Sequence, residues 1–322
     1  MNNQQRGLTL VELMLSMVIS LGLIAGISSL FLQMQKSNKV QRGLSAMSDD
    51  SSYVQEVLQK EMRNTGRLRS RSDSSGTNNS VFLNPAGNEF DSTIDLLSGE
   101  YIKGVRDAVT NNDEFVIRYQ LLDDQDLSSD PLIATNGSSP CTQNILMQPT
   151  DVVPITLNPA GDPASEVHIV NVYFYLSGNK LMCQAQRQKV TAVAAGPFLG
   201  ASQCLKNCAT EGSATDFTPA ATPGPVEIIG NVVKLVLAYG VDSDVTPDQA
   251  ANYYVSAAQV PAGRWRNVVS VRMTVVVRSE ETFIRDTADA YKLDGSPLTP
   301  SDDKHQLYKV FTTTIALRNQ LM

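Results

Sequence analysis

The chain has 322 residues, 42% hydrophobic and 18% charged, which is ample material for one large or two small cores. Its balance is acidic, 33 Asp plus Glu against 26 Lys plus Arg, which disfavours nonspecific binding of nucleic acid across the whole surface, so nucleic acid is not expected as a direct partner. It contains no GxSxG, HExxH, P-loop or dinucleotide fingerprint and no cysteine with an obvious histidine partner, so it reads as a non-enzyme with no cofactor.

Residues 1–7, MNNQQRG, form a short polar leader, and an apolar run with a single charge, Glu12, follows from Leu8 to Leu32. At ~1.5 Å per residue, a run this long exceeds the ~20 residues that cross a bilayer, so residues 8–32 are expected to span a membrane as a helix. A secretory signal peptide has a shorter apolar core and a cleavage site beyond it. Here the processing-like junction, Arg6-Gly7-Leu8, precedes the run, and cutting there keeps the helix. A carboxylate at the centre of a membrane helix costs roughly 2.5–3.5 kcal/mol, less near the interface, so Glu12 needs a partner. Gly22 and Gly26 make a GxxxG step that lets helix backbones approach closely. Positive-inside reasoning places Arg6 and the leader in the cytoplasm and the large remainder in the periplasm.

The stretch RGLTLVELMLSMVIS, from Arg6 to Ser20, resembles the class III leader and helix start of type IV prepilins and the related secretion pseudopilins. The resemblance implies that a membrane-bound prepilin peptidase cuts after Gly7 and methylates the new terminus at Leu8. It also implies that Glu12 pairs with the terminal amine of a neighbouring subunit and sets register as helices stack. Phenylalanine usually follows the cut in that family, where this chain has Leu8.

From residue 33 polarity rises but the helical period persists to residue 66. Val40, Leu44, Met47, Val54, Leu58 and Met62 draw one apolar stripe, and Gly66 is expected to end the helix. From Val54 onward the stripe is read as packing on the chain's own domain, and nearer the membrane as facing neighbouring subunits. Residues 67–80, including RSRSDSSGTNNS, read as a linker loop in which Arg67, Arg69 and Arg71 are solvated.

Residues 81–322 form the expected exported head. EVHIVNVYFYLSGNKLMCQAQRQ, residues 166–188, reads as a β-hairpin turning at Ser177-Gly178-Asn179, with His168 as a strand residue. The four cysteines, Cys141, Cys183, Cys204 and Cys208, lie in the head, where an oxidising compartment favours two disulfides. Three connectivities are possible, and the preferred one closes Cys204 on Cys208 and leaves Cys141 for Cys183. Their spacing resembles no zinc site. Pro- and Gly-rich sequence from Ala194 to Pro225 makes a long irregular connection, which leaves a two-domain head open.

Asp242, Asp244 and Asp248 are weak candidates for calcium, because their spacing lacks the glycine and final glutamate of an EF-hand, and a solvated acidic turn is favoured. In NVVSVRMTVVVRS, Val269, Val271, Met273, Val275 and Val277 alternate onto one side of a strand, with Ser270, Arg272, Thr274 and Arg278 mostly opposite. LYKVFTTTIALRN near the end is also strand-like.

LQKEMRNTGR, YGVDSD, RWRNVVSVRMTVVVRS and VFTTTIALRN together resemble PilW-type minor pilins. The expected fold is α+β: a long N-terminal helix, half in the membrane and half packed on a mainly antiparallel sheet. By this resemblance the chain joins other minor pilins, the major pilin and a tip protein in a complex that primes pilus assembly, supporting adhesion, twitching motility or DNA uptake indirectly. It would reside in the inner membrane before assembly and at the fibre tip afterwards. The alternatives are a type II secretion minor pseudopilin and a tip adhesin or DNA-binding module.

Overall fold

The structure is a computed structural model that describes residues 10–67, 94, 96, 99–120, 141, 166–191, 202–206, 225–246, 248–282, 284, 291–293, 296–298 and 304–317. Gly7, Leu8, the linker residues 68–80 and Cys208 lie outside them, as does the side chain of Cys204. The chain divides into two compact units, Met1–Asp49 with Ser279–Tyr308, and Asp50–Arg278 with Lys309–Met322.

Helix α1 runs from Leu10 to Asn64. Its sequence holds no proline, and straight-chain and leucine residues dominate, so no position breaks the backbone ladder. Gly66 ends it in the left-handed region (φ 72°), the conformation that glycine adopts without a Cβ penalty. Gly66 N then donates to Arg118 O (2.9 Å), which ties the helix end to a strand.

In the first unit, the buried face of α1 is Gly43 and Met47. The position of a Gly43 Cβ would lie 3.4 Å from Ile284 Cδ1 and 3.5 Å from Ser279 Cβ, so the connection after Arg278 packs against the helix backbone there. Within that connection, β10 (Tyr291–Leu293) and β11 (Ser296–Leu298) form an antiparallel ribbon. Leu44, placed on the stripe by periodicity, is 51% exposed. The close approach at Gly43 draws the contact line to one side of it. Val40 is half-buried.

In the second unit, β1 (Ile102–Arg106), β2 (Asp113–Gln120), β3 (Glu166–Ser177) and β4 (Lys180–Thr191) pair in order, all antiparallel. β5 (Ser202–Lys206) and β6 (Val226–Ile229) both pair with β4, at different stretches. The β3–β4 hairpin turns at Gly178-Asn179, with Gly178 at φ 60°, and carries His168 as a strand residue as expected. One face of this sheet, Ile102, Phe115, Ile117, Tyr119, Val170, Val172, Phe174, Cys183 and Ala185, is buried, with Phe115 and Phe174 stacked at 4.8 Å. On the other face Arg118, Asn171 and Gln186 sit side by side across three strands and are also buried. Arg118 Nε donates to Asn171 Oδ1 (2.9 Å).

A four-stranded sheet follows the order β12 (Tyr308–Ala316), β9 (Val268–Arg278), β7 (Val232–Val241), β8 (Tyr253–Val255). β9 is central, and Val271, Met273, Val275 and Val277 are wholly buried on one face. The opposite face is more buried than alternation suggested, since Val276 and Ser270 are buried there, while Arg272 is exposed as expected.

The helix segment after Asp50 buries Val54, Val57, Leu58 and Met62 in this unit. Gln59 Nε2 donates to Thr313 Oγ1 on β12 (3.4 Å), and Tyr119 OH donates to Glu61 Oε2 (3.5 Å), so the helix touches both sheets. The sheets are joined to each other by side chains. Leu235 N and Leu237 N, on the stretch of β7 that β8 does not cover, donate to Asn112 Oδ1 (3.4 Å) and Asp113 Oδ2 (2.6 Å). Open strand edges need such partners for their backbone groups. Arg106 holds Asp113 from the other side (2.7 and 3.0 Å). The fold is α+β, one long N-terminal helix and antiparallel sheets. The disulfide Cys141–Cys183 fixes residue 141 near the start of β4, with Cα atoms 5.6 Å apart.

Candidate functional site

From Leu10 to Met34 every large apolar side chain of α1 is exposed. An apolar surface of this length on an ordered helix demands an apolar surrounding, and this is the one described helix long and apolar enough to cross a membrane. Sequence reading passed over the serines inside it. Ser16, Ser20, Ser28 and Ser29 donate their hydroxyls to the carbonyls of Leu13, Ser16, Ile24 and Gly26 at 2.7–2.9 Å. Each hydroxyl is thereby satisfied within the helix, which lowers the cost of placing it in lipid.

Glu12 lies in the first turn of α1, where the helix dipole favours a carboxylate. Gly22 and Gly26 face open space, with nothing within 4 Å of where a Cβ would stand, so both backbones are accessible to another helix. Lys36, Lys39 and Arg42 follow the apolar stretch directly and are exposed. With Arg6 the single cation before the run, the charge bias across the span does not by itself favour the orientation that Arg6 suggested.

The acidic turn is ordered by its own backbone. Asp242 is buried, its Oδ1 accepts from Asp244 N (3.0 Å) and its Oδ2 from Gln249 N (2.9 Å). Asp248 Oδ1 accepts from Ala250 N (2.9 Å), and Asn252 bridges Ser243 N (2.6 Å) and Asp244 Oδ1 (3.3 Å). Carboxylate oxygens of Asp242, Asp244 and Asp248 lie within 4.8 Å of one another, yet these bonds already account for Asp242 as the residue that shapes the loop.

Beside that turn, sequence reading missed a buried cluster. Tyr239 packs edge-on against Trp265 at 4.8 Å, and its hydroxyl points at Gly104. A Cβ on Gly104 would stand 1.9 Å from that oxygen, so only glycine fits. Burial first, then the nearby Asp113 carboxylate, holds the Tyr239 hydroxyl well above the ordinary tyrosine range, with Arg106 opposing. Tyr101, whose hydroxyl donates to Arg266 O, is also raised, by burial, against the pull of Arg266. The Lys234 ammonium, which donates to Thr110 O (2.8 Å), is lowered by burial and then by Arg106. These groups knit strands together.

Residues 2–28 match the prokaryotic N-terminal methylation motif, and residues 205–319 match the family described as Type IV Pilus-assembly protein W. No curated protein matches the chain. Among solved structures it is similar to a type IV-like pilin from Thermus thermophilus, at 10% identity and a TM-score of 0.35 over 85% of this chain and 97% of that one. The methylation motif, the apolar helix that it opens and the antiparallel head define a type IV pilin-like protein. Within that class, residues 205–319 carry the likeness to PilW-type minor pilins.

Proposed function

We propose that the chain is processed after Gly7, methylated at Leu8, held in the inner membrane by α1 with its head in the periplasm, and then incorporated with other minor pilins, the major pilin and a tip protein into a complex that primes the pilus. The observation that carries this reading is the methylation motif opening directly into an exposed apolar helix. A short stack of such helices in the membrane is a template that the first major pilins can join. The amine of a processed neighbour would be a cationic partner for Glu12 in a low-dielectric layer. Residues 8–32 serve as the assembly helix, residues 33–66 connect it to the head, residues 67–80 link, and residues 81–322 carry specific contacts. The work of the protein is structural, not catalytic.

Deleting the gene and counting surface fibres tests the proposal. Loss of fibres supports priming. Normal fibres with lost attachment would indicate a tip adhesin, and normal fibres with lost enzyme secretion a type II pseudopilin. Mass spectrometry of assembled protein is expected to find a methylated Leu8 terminus, and an intact Met1 terminus would refute processing.

A further inference from the structure

We infer that the free edge of β12 is a docking site for an extended, uncharged segment of a different protein, which adds a strand beside it. β12 closes one side of the four-stranded sheet, with β9 as its neighbour. The bonds at the two ends of that pairing fix which backbone groups face outward. Ser279 N donates to Leu307 O (2.8 Å) and Leu317 N donates to Val269 O (2.8 Å), so residues 307 and 317 face 279 and 269 as hydrogen-bonded pairs. In an antiparallel pair such residues alternate with others whose backbone groups point away. The odd-numbered residues of β12 therefore bond to β9, and the N–H and C=O of Val310, Thr312, Thr314 and Ala316 point to the open side. The contact of Thr312 Oγ1 with Thr274 Oγ1 (2.9 Å) agrees, because side chains approach most closely in the pairs without backbone bonds.

Those same four residues are exposed, and among the described residues no backbone bond meets them from outside. Strand edges in stable proteins are usually short, charged, interrupted by proline or covered. β1 and β5 have five residues, β6 four and β8 three, and Asn112 and Asp113 cap the open stretch of β7. β12 has nine residues, and from Val310 to Ala316 it carries no charge, proline or glycine. Its outward donors and acceptors recur every second residue, about 7 Å apart, a spacing that another extended backbone matches. This edge offers no counter-charge, which favours an uncharged segment, and β-branched or hydroxyl side chains pair best beside Val310, Thr312 and Thr314. A second copy is not that strand. Two identical edges pair antiparallel about a two-fold axis normal to the sheet, and that axis also reverses the helix segment whose Gln59 bonds to Thr313. The two helices would then run in opposite directions, whereas chains anchored by α1 as proposed above enter one membrane the same way. The choice of a different protein rests on that reading, and the free edge does not.

The test uses the full-length chain in detergent and, as probe, a synthetic peptide of alternating threonine and valine with blocked ends, about as long as β12. Hydrogen exchange is read amide by amide along the strand. In the chain alone, Val310, Thr312 and Thr314 should exchange fast, and Phe311, Thr313 and Ile315 slowly. Peptide at about ten times its dissociation constant should slow the first set about tenfold and leave the second set unchanged. The same peptide methylated at all its backbone nitrogens should have no effect. Thr312→Pro removes an outward N–H that β9 does not use, so it should abolish the slowing while the head keeps its thermal transition. Even-numbered amides that are already slow in the isolated chain, or that the peptide never slows, would overturn the inference, and both readings come from wild type. Protection that grows with protein concentration in the absence of peptide would overturn it in favour of a second copy. A chain whose edge binds the peptide but whose terminus is not a methylated Leu8 refutes the processing reading and leaves the edge standing.

Discussion

The two ends of helix α1 share one secondary structure and have opposite surroundings. From Leu10 to Met34 its apolar side chains are exposed, and its serines turn inward to their own backbone. From Val54 to Met62 the same kind of residue is sealed: Val54, Leu58 and Met62 are fully buried, and Gln59 and Glu61 bond to strands. The periodic half has a wet side and a dry side, as a helix that packs on its own domain must. The uniformly apolar half has no such division and is shaped for lipid and for other helices. A stability measurement on the head therefore probes one end, and an assembly measurement the other.

Substitution of Glu12 is expected to separate them most sharply. If Glu12 pairs with a neighbouring amine as proposed, removing one partner of that pair in a low-dielectric layer costs about 3–5 kcal/mol, so Glu12→Ala should lower incorporation into sheared fibres more than tenfold relative to major pilin. The cleaved protein should accumulate in the inner membrane, with the thermal transition of the head unchanged. Wild-type incorporation would mean that contacts made by the head drive assembly. Glu12→Gln should be no more defective than Glu12→Ala.

The converse comes from Leu58, which is 0% exposed, set against Ile19, which is 55% exposed. Leu58→Ala should cost the head about 2–5 kcal/mol, read by denaturant titration of the full chain in detergent. Ile19→Ala should leave that transition in place. Equal effects would show that the two halves are not energetically distinct.

A smaller effect tests the joint between the sheets. A Cβ on Gly104 must displace the Tyr239 ring, whose hydroxyl oxygen and Cζ would stand at 1.9 and 2.8 Å. Gly104→Ala should destabilise the head by about 1–3 kcal/mol. Among the described residues the Tyr239 hydroxyl has no hydrogen-bond partner, so Tyr239→Phe alone should be close to neutral, and the double variant should recover much of the loss. Additive effects would place the strain elsewhere.

The smallest effect is alkaline. Tyr101 and Tyr239 have folded pKa values above the ordinary 10.0. Above that pH the unfolded chain releases these protons while the folded chain keeps them, so the unfolded state binds fewer and stability falls as pH rises. Their contribution is fully present below pH 10 and is lost above it. Lys234 works in the other direction. Its folded pKa lies below 10.5, so the folded state deprotonates first and stability rises with pH between the two values. Tyr239→Phe should flatten the alkaline loss and leave incorporation into fibres untouched, as followed by denaturant midpoints against pH.

Local patterns carried much of this reading. The apolar run, the glycine stop at Gly66, the turn at Gly178-Asn179 and the alternation in β9 are set by neighbours within a few residues, where period and backbone sterics act directly. The leader motif is likewise a contiguous string. Gly43 shows the limit of that logic: periodicity did not mark it, and it packs against Ile284 and Ser279, more than two hundred residues away in sequence. By itself, then, the sequence determined that the chain begins as a membrane-length helix and continues into a β-rich head, because hydrophobic period and turn chemistry are local properties. The tertiary structure alone decided that Arg118, Asn171 and Gln186 are buried, that Asn112 and Asp113 close the edge of β7, and that Gly104 admits Tyr239, whereas the pairing of Cys141 with Cys183 was the connectivity preferred from the sequence. Each of these pairs residues far apart in the chain, and which of many chemically possible partners meet is settled only when the strands take their register and the sheets close on one another.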